Sequence, residues 1–259
     1  MSVSNERNIL RIDHKEAPGA VTIQFNRPAV RNALAPEDLL LVNQHLLECQ
    51  YDDAVKVIFL TGAGSAFCAG FDLKVLNALP AGKRASALDT ATELMIRIVS
   101  SPKIIISAVN GASAGLGNHI ALCSDLCIAV HDANFHFTGA SKGIPSMQFG
   151  ALLLPMTVGL KRAKALLLRG GKVSATKAEE IGMCNAVIEP ERWKEEIASL
   201  ADEFCTRNPT TLSQNKFQAN QLALQMIGAL KLSSIAGGSQ MALADQFVTG
   251  RIGDSGAQS

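Results

Sequence analysis

Two apolar runs, VKVIFL at 55–60 and KIIISAV at 103–109, each end directly in a loop of small residues, TGAGSAFCAG at 61–70 and NGASAGLG at 110–117. An uninterrupted run of this length, bounded by turn residues, reads as a strand buried on both faces. Such a strand needs cover on both sides, which points to a layered α/β fold. A chain of 259 residues with 47% hydrophobic content can supply that cover.

The rest of the chain fits the same plan. Residues 8–13 and 20–25 (AVTIQF) read as strands joined by a turn at Pro18-Gly19, and Asn26-Arg27-Pro28 ends the second. Residues 36–49 form an amphipathic pattern with Pro36 suited to the first helical turn. A second helix is expected over 86–99, a third from about Leu116, and a further strand over 126–130 (LCIAV). Beyond Glu189 the pattern becomes helical, over 191–206 and roughly 209–248. We therefore expect an α/β core over 1–190 and a helical region over 191–259, with no linker, no internal repeat and no low-complexity tract.

Charge and cysteine content narrow the function classes. A net charge of +1 argues against a nucleic-acid or anionic-membrane partner. The polar N-terminal segment MSVSNERNILRIDHKE carries no apolar signal region, and no stretch is apolar enough to span a membrane. Six cysteines with no CxxC pair, mostly among apolar neighbours, read as reduced core thiols, so a cytoplasmic setting is expected. Cys123 and Cys127 do not make a metal site, because the second falls on a strand, and no metal is expected.

The first loop invites a dinucleotide reading, strand then Gly62-x-Gly64. The third glycine of that fingerprint should fall at 67, where Phe67 stands, and no acidic residue ends a strand about 20 residues on. The blander reading is a tight turn that needs small residues. A helix starting at Leu116 directs free backbone N–H groups toward the second loop, a natural place to hold a developing oxyanion. Two such loops could each supply one N–H to the same oxygen.

At this point the chain resembles a known family. Gln24-Phe25-Asn26-Arg27-Pro28 with Asn32-Ala33-Leu34, then Phe67-Cys68-Ala69-Gly70-Phe71-Asp72-Leu73, is similar to the N-terminal signature and first motif of the enoyl-CoA hydratase/isomerase (crotonase) superfamily. Ser101-Pro102-Lys103, Ala108-Val109-Asn110-Gly111 and Ala114-Gly115-Leu116-Gly117 resemble its second motif, with Asp125 at the family's spacing. Ala133-Asn134-Phe135 and Gly143-Ile144-Pro145 continue the likeness, which runs from about residue 9 to about residue 250.

The resemblance implies a crotonase-like spiral of ββα units with a C-terminal helical trimerisation region, assembled as a homotrimer or a homohexamer. It implies an acyl-CoA thioester as substrate, with no separate cofactor, coenzyme A arriving as part of the substrate. Phe71 and Leu116 take the two oxyanion N–H positions, and a leucine at 116 resembles the isomerase branch more than the hydratase branch. Arg31, Ala33, Ala69, Gly70, Asp72 and Leu73 fall on the family's CoA-contacting stretches. Gly115, Gly139 and Met147 fall beside the substrate. Leu76, Leu79, Phe137, Met147 and Phe149 are expected to line an apolar acyl pocket.

The departures concern the acids. The first hydratase glutamate is replaced by His119 and the second by Gly139, and the stretch Ile144–Phe149, where isomerases put a single glutamate near Met147, has none. Hydration needs a base for water and a proton source for the α-carbon; one histidine serves a proton shuttle more readily. His119, at a helix start that disfavours the imidazolium, is the expected base; the alternative is a buried histidine tied to a backbone carbonyl. His136 is placed opposite Phe135 and Phe137 on a strand. Asp72 reads as a loop-ordering carboxylate and Cys68 as core filler. Ser146 and Gln148 are polar candidates near the acyl end, and His14, His45 and His131 read as surface or edge residues. The usual basic C-terminal segment is missing; Lys216 and Arg251 are the candidates to replace it. Decarboxylase, C–C lyase or hydrolase chemistry, or a non-catalytic CoA-ester scaffold, are the alternatives.

Overall fold

The computed structural model describes residues 8–237, with side chains described except at 148–151 and 228–237. Two sheets organise the chain. The larger has six strands, β1 (Ile9–Asp13), β2 (Ala20–Phe25), β3 (Val57–Gly62), β5 (Ile104–Val109), β7 (Leu126–Val130) and β10 (Ala186–Ile188), in that spatial order. The smaller has four, β4 (Ala66–Cys68), β6 (Ala112–Ala114), β8 (Asn134–Phe137) and β9 (Gly171–Ser174). In the large sheet only the β1–β2 pair is antiparallel, and in the small sheet only β8–β9.

Chain order through the two sheets reveals a repeat. A long strand in the large sheet is followed by a short strand in the small one and then by helix, three times over: β3 and β4 lead to α2 (Leu73–Ala78) and α3 (Ala81–Ser100), β5 and β6 to α4 (Leu116–Cys123), β7 and β8 to α5 (Gln148–Val158). This corrects the expectation of no internal repeat. The two glycine-rich loops are not simply loops; each holds a three-residue strand, too short and too rich in small residues to show a period. The helix expected over 86–99 runs further, over Ala81–Ser100, and α2 has no counterpart in the sequence pattern.

The apolar runs behave as strands buried on both faces. On β3, Ile58 and Leu60 face the main core, with α1 (Pro36–Tyr51), α3 and α4, while Val57 and Phe59 face a second cluster. That cluster is closed by Ala201 and Phe204 of α8 (Trp193–Thr206). Two further helices, α6 (Leu160–Arg169) and α7 (Ala175–Glu180), flank β9, and α9 (Pro209–Gly237) follows α8. Helix is expected to about 248; 238–248 and Arg251 lie outside the described residues. No helix among the described residues is long and apolar enough to cross a membrane.

Several side chains differ from expectation. His14, directly after the edge strand β1, is half-buried where a surface reading would have it open: its ring stacks on Phe59 at 5.8 Å and its Nε2 lies 2.7 Å from Thr22 Oγ1. Leu76 is buried with Ala87 and Leu88, and Leu79 packs on that cluster, so both stand behind the pocket wall. Lys216 is the clearest correction. It is 7% exposed, and its Nζ donates to Asp125 Oδ2 at 2.7 Å, Ile98 O at 3.0 Å and Lys103 O at 2.9 Å. All three ammonium protons are used inside the protein, so Lys216 pins α9 to the core and does not reach coenzyme A phosphates. Asp125 also accepts from Ile105 N at 2.8 Å, holding the start of β5.

Removing one member of a buried ion pair leaves the other uncompensated, which costs about 3–5 kcal/mol. Lys216→Ala should lower the unfolding free energy, read from urea denaturation, by that order. The double variant Lys216→Met with Asp125→Asn, which leaves no buried charge and keeps an acceptor for Ile105, should recover most of the loss.

Candidate active site

The site is assembled where the small sheet brings the two glycine-rich segments together. β6 lies between β4 and β8, pairing Cys68 with Ser113 on one side and Ala114 with His136 on the other. Close approach is possible only because the facing residues are small. A Cβ on Gly117 would sit 2.4 Å from Cys68 O, and one on Gly70 would sit 2.9 Å from Ala114 O and 3.1 Å from Leu116 N. Gly70 also has φ +93°, a conformation that L side chains resist. The backbone at Phe71 and the start of α4 at Leu116 are therefore held side by side. Leu116, the first residue of α4, has no carbonyl within its own helix to receive its N–H.

The N-terminal signature holds this junction. Leu34 bridges Phe71 in parallel, with Leu34 N donating to Gly70 O at 2.8 Å and Asp72 N to Leu34 O at 2.9 Å. Arg27 donates to Ala33 O at 2.7 Å, Asp38 Oδ2 at 3.1 Å and Asp72 Oδ2 at 3.0 Å. Asn32 is fully buried and its amide reaches Ala63 O at 2.9 Å and Ala66 O at 2.7 Å. Asn110, at the end of β5, donates to Gly62 O at 2.8 Å and Gly64 O at 2.9 Å, tying the second segment to the first. Asp72 is thereby a loop-ordering carboxylate, which also caps α2 by accepting from Val75 N. Cys68 is fully buried, and burial pushes its thiol up to about 12, so it is no nucleophile at neutral pH.

A cavity of ≈ 730 Å³ opens beside the junction. Phe71, Leu116 and Gly115 line it from the two segments, with Ala69 and Leu73 alongside. Gly139, Met147 and Ser146 line it from the segment after β8, and Leu122, Leu154, Leu166 and Leu167 supply apolar wall. The α6 leucines escape sequence reasoning because a short amphipathic helix far along the chain gives no sign of which cavity it faces. Arg31, Ala33, Gly70 and Asp72 do not line the cavity. Arg31 is exposed, with its charge near enough to act on His136. The side chains of Gln148 and Phe149 lie outside the described residues.

Among the described residues no aspartate or glutamate lines this cavity. Its titratable groups are His119, His136 and Lys142. His136 is partly exposed; burial, then Lys172 and Arg31, lower its basicity. Phe137, at the strand end, reaches the same cavity, so the strict alternation expected for β8 fails there.

His119, one turn along α4 from Leu116, is 8% exposed. Neither the free base nor the carbonyl-tied alternative describes it fully. Its Nδ1 is buried with no hydrogen-bond partner, and burial alone holds the ring's pKa down to about 4. The value in the unfolded chain is near 6.5. Between those values the unfolded chain binds a proton that the folded one does not, so stability falls as pH falls through that window. The total loss is roughly 3 kcal/mol by about pH 4. His119→Gln should flatten this component, seen as a smaller difference between urea midpoints at about pH 7 and about pH 4.5 than in the parent protein.

Comparison with known proteins agrees with this architecture. The family described as "Enoyl-CoA hydratase/isomerase" matches residues 15–233. The chain is 35% identical over 194 residues to 1,2-epoxyphenylacetyl-CoA isomerase of Escherichia coli, covering 73% of this chain and 74% of that protein. It is 30% identical over 228 residues to crotonyl-CoA hydratase of Syntrophomonas wolfei, covering 86% and 87% respectively. The crystal structure of an enoyl-CoA hydratase/isomerase from Xanthobacter autotrophicus superposes with a TM-score of 0.80 at 30% identity, over 92% of this chain and 87% of that one. With two sheets joined by ββα units, a double glycine-segment junction and this match, the chain belongs to the enoyl-CoA hydratase/isomerase family, the crotonase superfamily.

Proposed function

We propose that this protein is an acyl-CoA enzyme whose reaction passes through a thioester enolate and does not use a pair of carboxylates. A cavity with no aspartate or glutamate among its described lining residues carries this reading. The thioester carbonyl docks on the N–H groups of Phe71 and Leu116. Negative charge that develops on that oxygen is met by fixed backbone dipoles, which need no reorganisation during the reaction. The start of α4 adds its dipole in the favourable sense. The acyl group extends into the cavity toward the leucines of α4, α5 and α6.

Hydration of a conjugated thioester needs one group to activate water and another to protonate the α-carbon. The cavity offers His119, weakly basic where it stands, and His136 nearer its exposed rim. Double-bond migration, or cleavage of a bond to the α-carbon, asks less: the enolate is held, and a single proton is moved or none. The leucine at position 116 supports the isomerase branch. Exposed apolar side chains on α6 and α9, among them Leu160, Leu168, Phe217 and Leu222, fit subunit contacts of a homotrimer or homohexamer.

The test is incubation with crotonyl-CoA and with a 3-enoyl-CoA, following products by mass and chromatography. Both should bind, and hydration of crotonyl-CoA should be slower than at a two-carboxylate site by about 10²- to 10⁴-fold. Rapid formation of 3-hydroxybutyryl-CoA overturns the acid-free reading. Conversion of the 3-enoyl ester to its 2-enoyl isomer establishes the isomerase branch; binding without conversion of either ester turns the search to decarboxylation, C–C cleavage and thioester hydrolysis, and a failure of those as well favours a non-catalytic CoA-ester scaffold.

A further inference from the structure

His119 is placed to meet the substrate but not to take its proton. Leu116 and His119 are three residues apart on α4, on one face of the helix, and side chains lean toward a helix's N-terminus. The imidazole therefore stands over the first turn, next to where a thioester carbonyl would meet Leu116 N–H. Neither ring nitrogen has a partner among the described residues, yet only Nδ1 is sealed in the interior. Nε2 is left on the side of the ring that meets the cavity, which His119 lines.

This arrangement selects a tautomer. An N–H sealed away without an acceptor is rarer and more costly in proteins than an under-used lone pair. The proton of the neutral ring thus belongs on Nε2, with Nδ1 as a bare lone pair in the interior. Positioned bases usually have an acceptor on their far nitrogen to stabilise the imidazolium; His119 has none. The elements packed on α4, namely α3, α5, β4, β5, β6 and β7, bring no charge near enough to act on the ring, since burial is the sole cause of its lowered basicity. The other titratable groups of the cavity are His136 on β8 and Lys142 in the turn that follows.

We propose that His119 is a fixed neutral hydrogen-bond donor, its Nε2–H pairing an oxygen carried on the first carbons of the acyl group, so that the site prefers oxygen-substituted acyl-CoA thioesters to plain alkyl ones. The proposal rests on the acyl-CoA reading above. A plain acyl chain would strip water from Nε2–H and give nothing in return, whereas an acyl oxygen would replace that water. The difference is about tenfold to a hundredfold in affinity.

The test compares two probes of equal carbon number, 3-oxobutyryl-CoA and butyryl-CoA, by calorimetric titration. The parent protein should bind the 3-oxo ester about tenfold to a hundredfold more tightly. His119→Phe, which fills the space without a donor, should bring the two affinities within about twofold, while His119→Gln, whose amide N–H can donate, should keep most of the preference. Equal affinities in the parent, or a preference that survives His119→Phe, overturn the donor role and leave the acyl-CoA reading intact. Binding of neither ester overturns both. Because His119→Phe could fail to fold, ¹⁵N NMR of the parent gives a second measurement. A neutral ring protonated on Nε2 from about pH 5 to about pH 8 is expected; an imidazolium in that range, or a proton on Nδ1, sinks the proposal.

Discussion

The site depends on one close approach, the backbone of β4 and the following turn against the backbone of β6 and the start of α4. Cys68 O lies 2.4 Å from where a Cβ on residue 117 would be, and Ala114 O lies 2.9 Å from where one on residue 70 would be. No side chain larger than hydrogen fits at either point without moving backbone. The small residues of 61–70 and 110–117 are therefore a packing requirement before they are a chemical one. Once the requirement is met, the N–H of Leu116 and the backbone of Phe71 come side by side. A single close approach thus holds β4 against β6 and fixes the backbone at Phe71 beside the start of α4.

The clamp around that contact explains why the N-terminal signature contains polar residues in a buried place. Asn32 is fully buried and bonds Ala63 O, Ala66 O and Arg27 N, while Arg27 spans Asp38 and Asp72. A half-satisfied network here would destabilise the fold; each of these groups instead has partners on two or three segments. Asn32 has φ 56°, a left-handed backbone that asparagine tolerates better than most residues because its amide bonds locally. Asn32, Arg27 and Asp72 lie outside the cavity, so this clamp adds no polar group to the cavity wall.

The long features of this fold are legible in the sequence and the short ones are not. Runs such as VKVIFL and KIIISAV carry enough apolar residues to announce a strand buried on both faces, and Leu116 is readable as a helix start from the glycines before it. β4 and β6, three residues each, carry no period, and their strand character comes only from pairing with each other and with β8. Lys216 illustrates a different limit. A lysine on an expected surface helix reads as a surface cation, and nothing local reveals that Asp125, 91 residues earlier, will sit 2.7 Å from it. Leu76 reads as pocket wall on its hydrophobicity alone, which does not separate a cavity lining from the layer behind it. The likeness to a family places His119 at the site, but the absence of a partner for its Nδ1 is a property of the packing around α4.

That absence bears on what kind of chemistry the position supports. The first turn of a helix favours an anion and disfavours a cation. A carboxylate there could remain charged and take a proton, becoming neutral as an enolate forms nearby. A histidine taking the same proton would become an imidazolium at a helix start, deep in an apolar wall, with no acceptor behind it. The enolate would attract that cation at short range, but its far N–H would still lack a partner. Holding the ring neutral avoids both costs and leaves one N–H facing the substrate. On the proposal that His119 is a neutral donor, a histidine at this place turns the wall of the cavity toward hydrogen-bond recognition rather than proton transfer, and the N–H groups of Phe71 and Leu116, being backbone groups, do not depend on the side chain at 119.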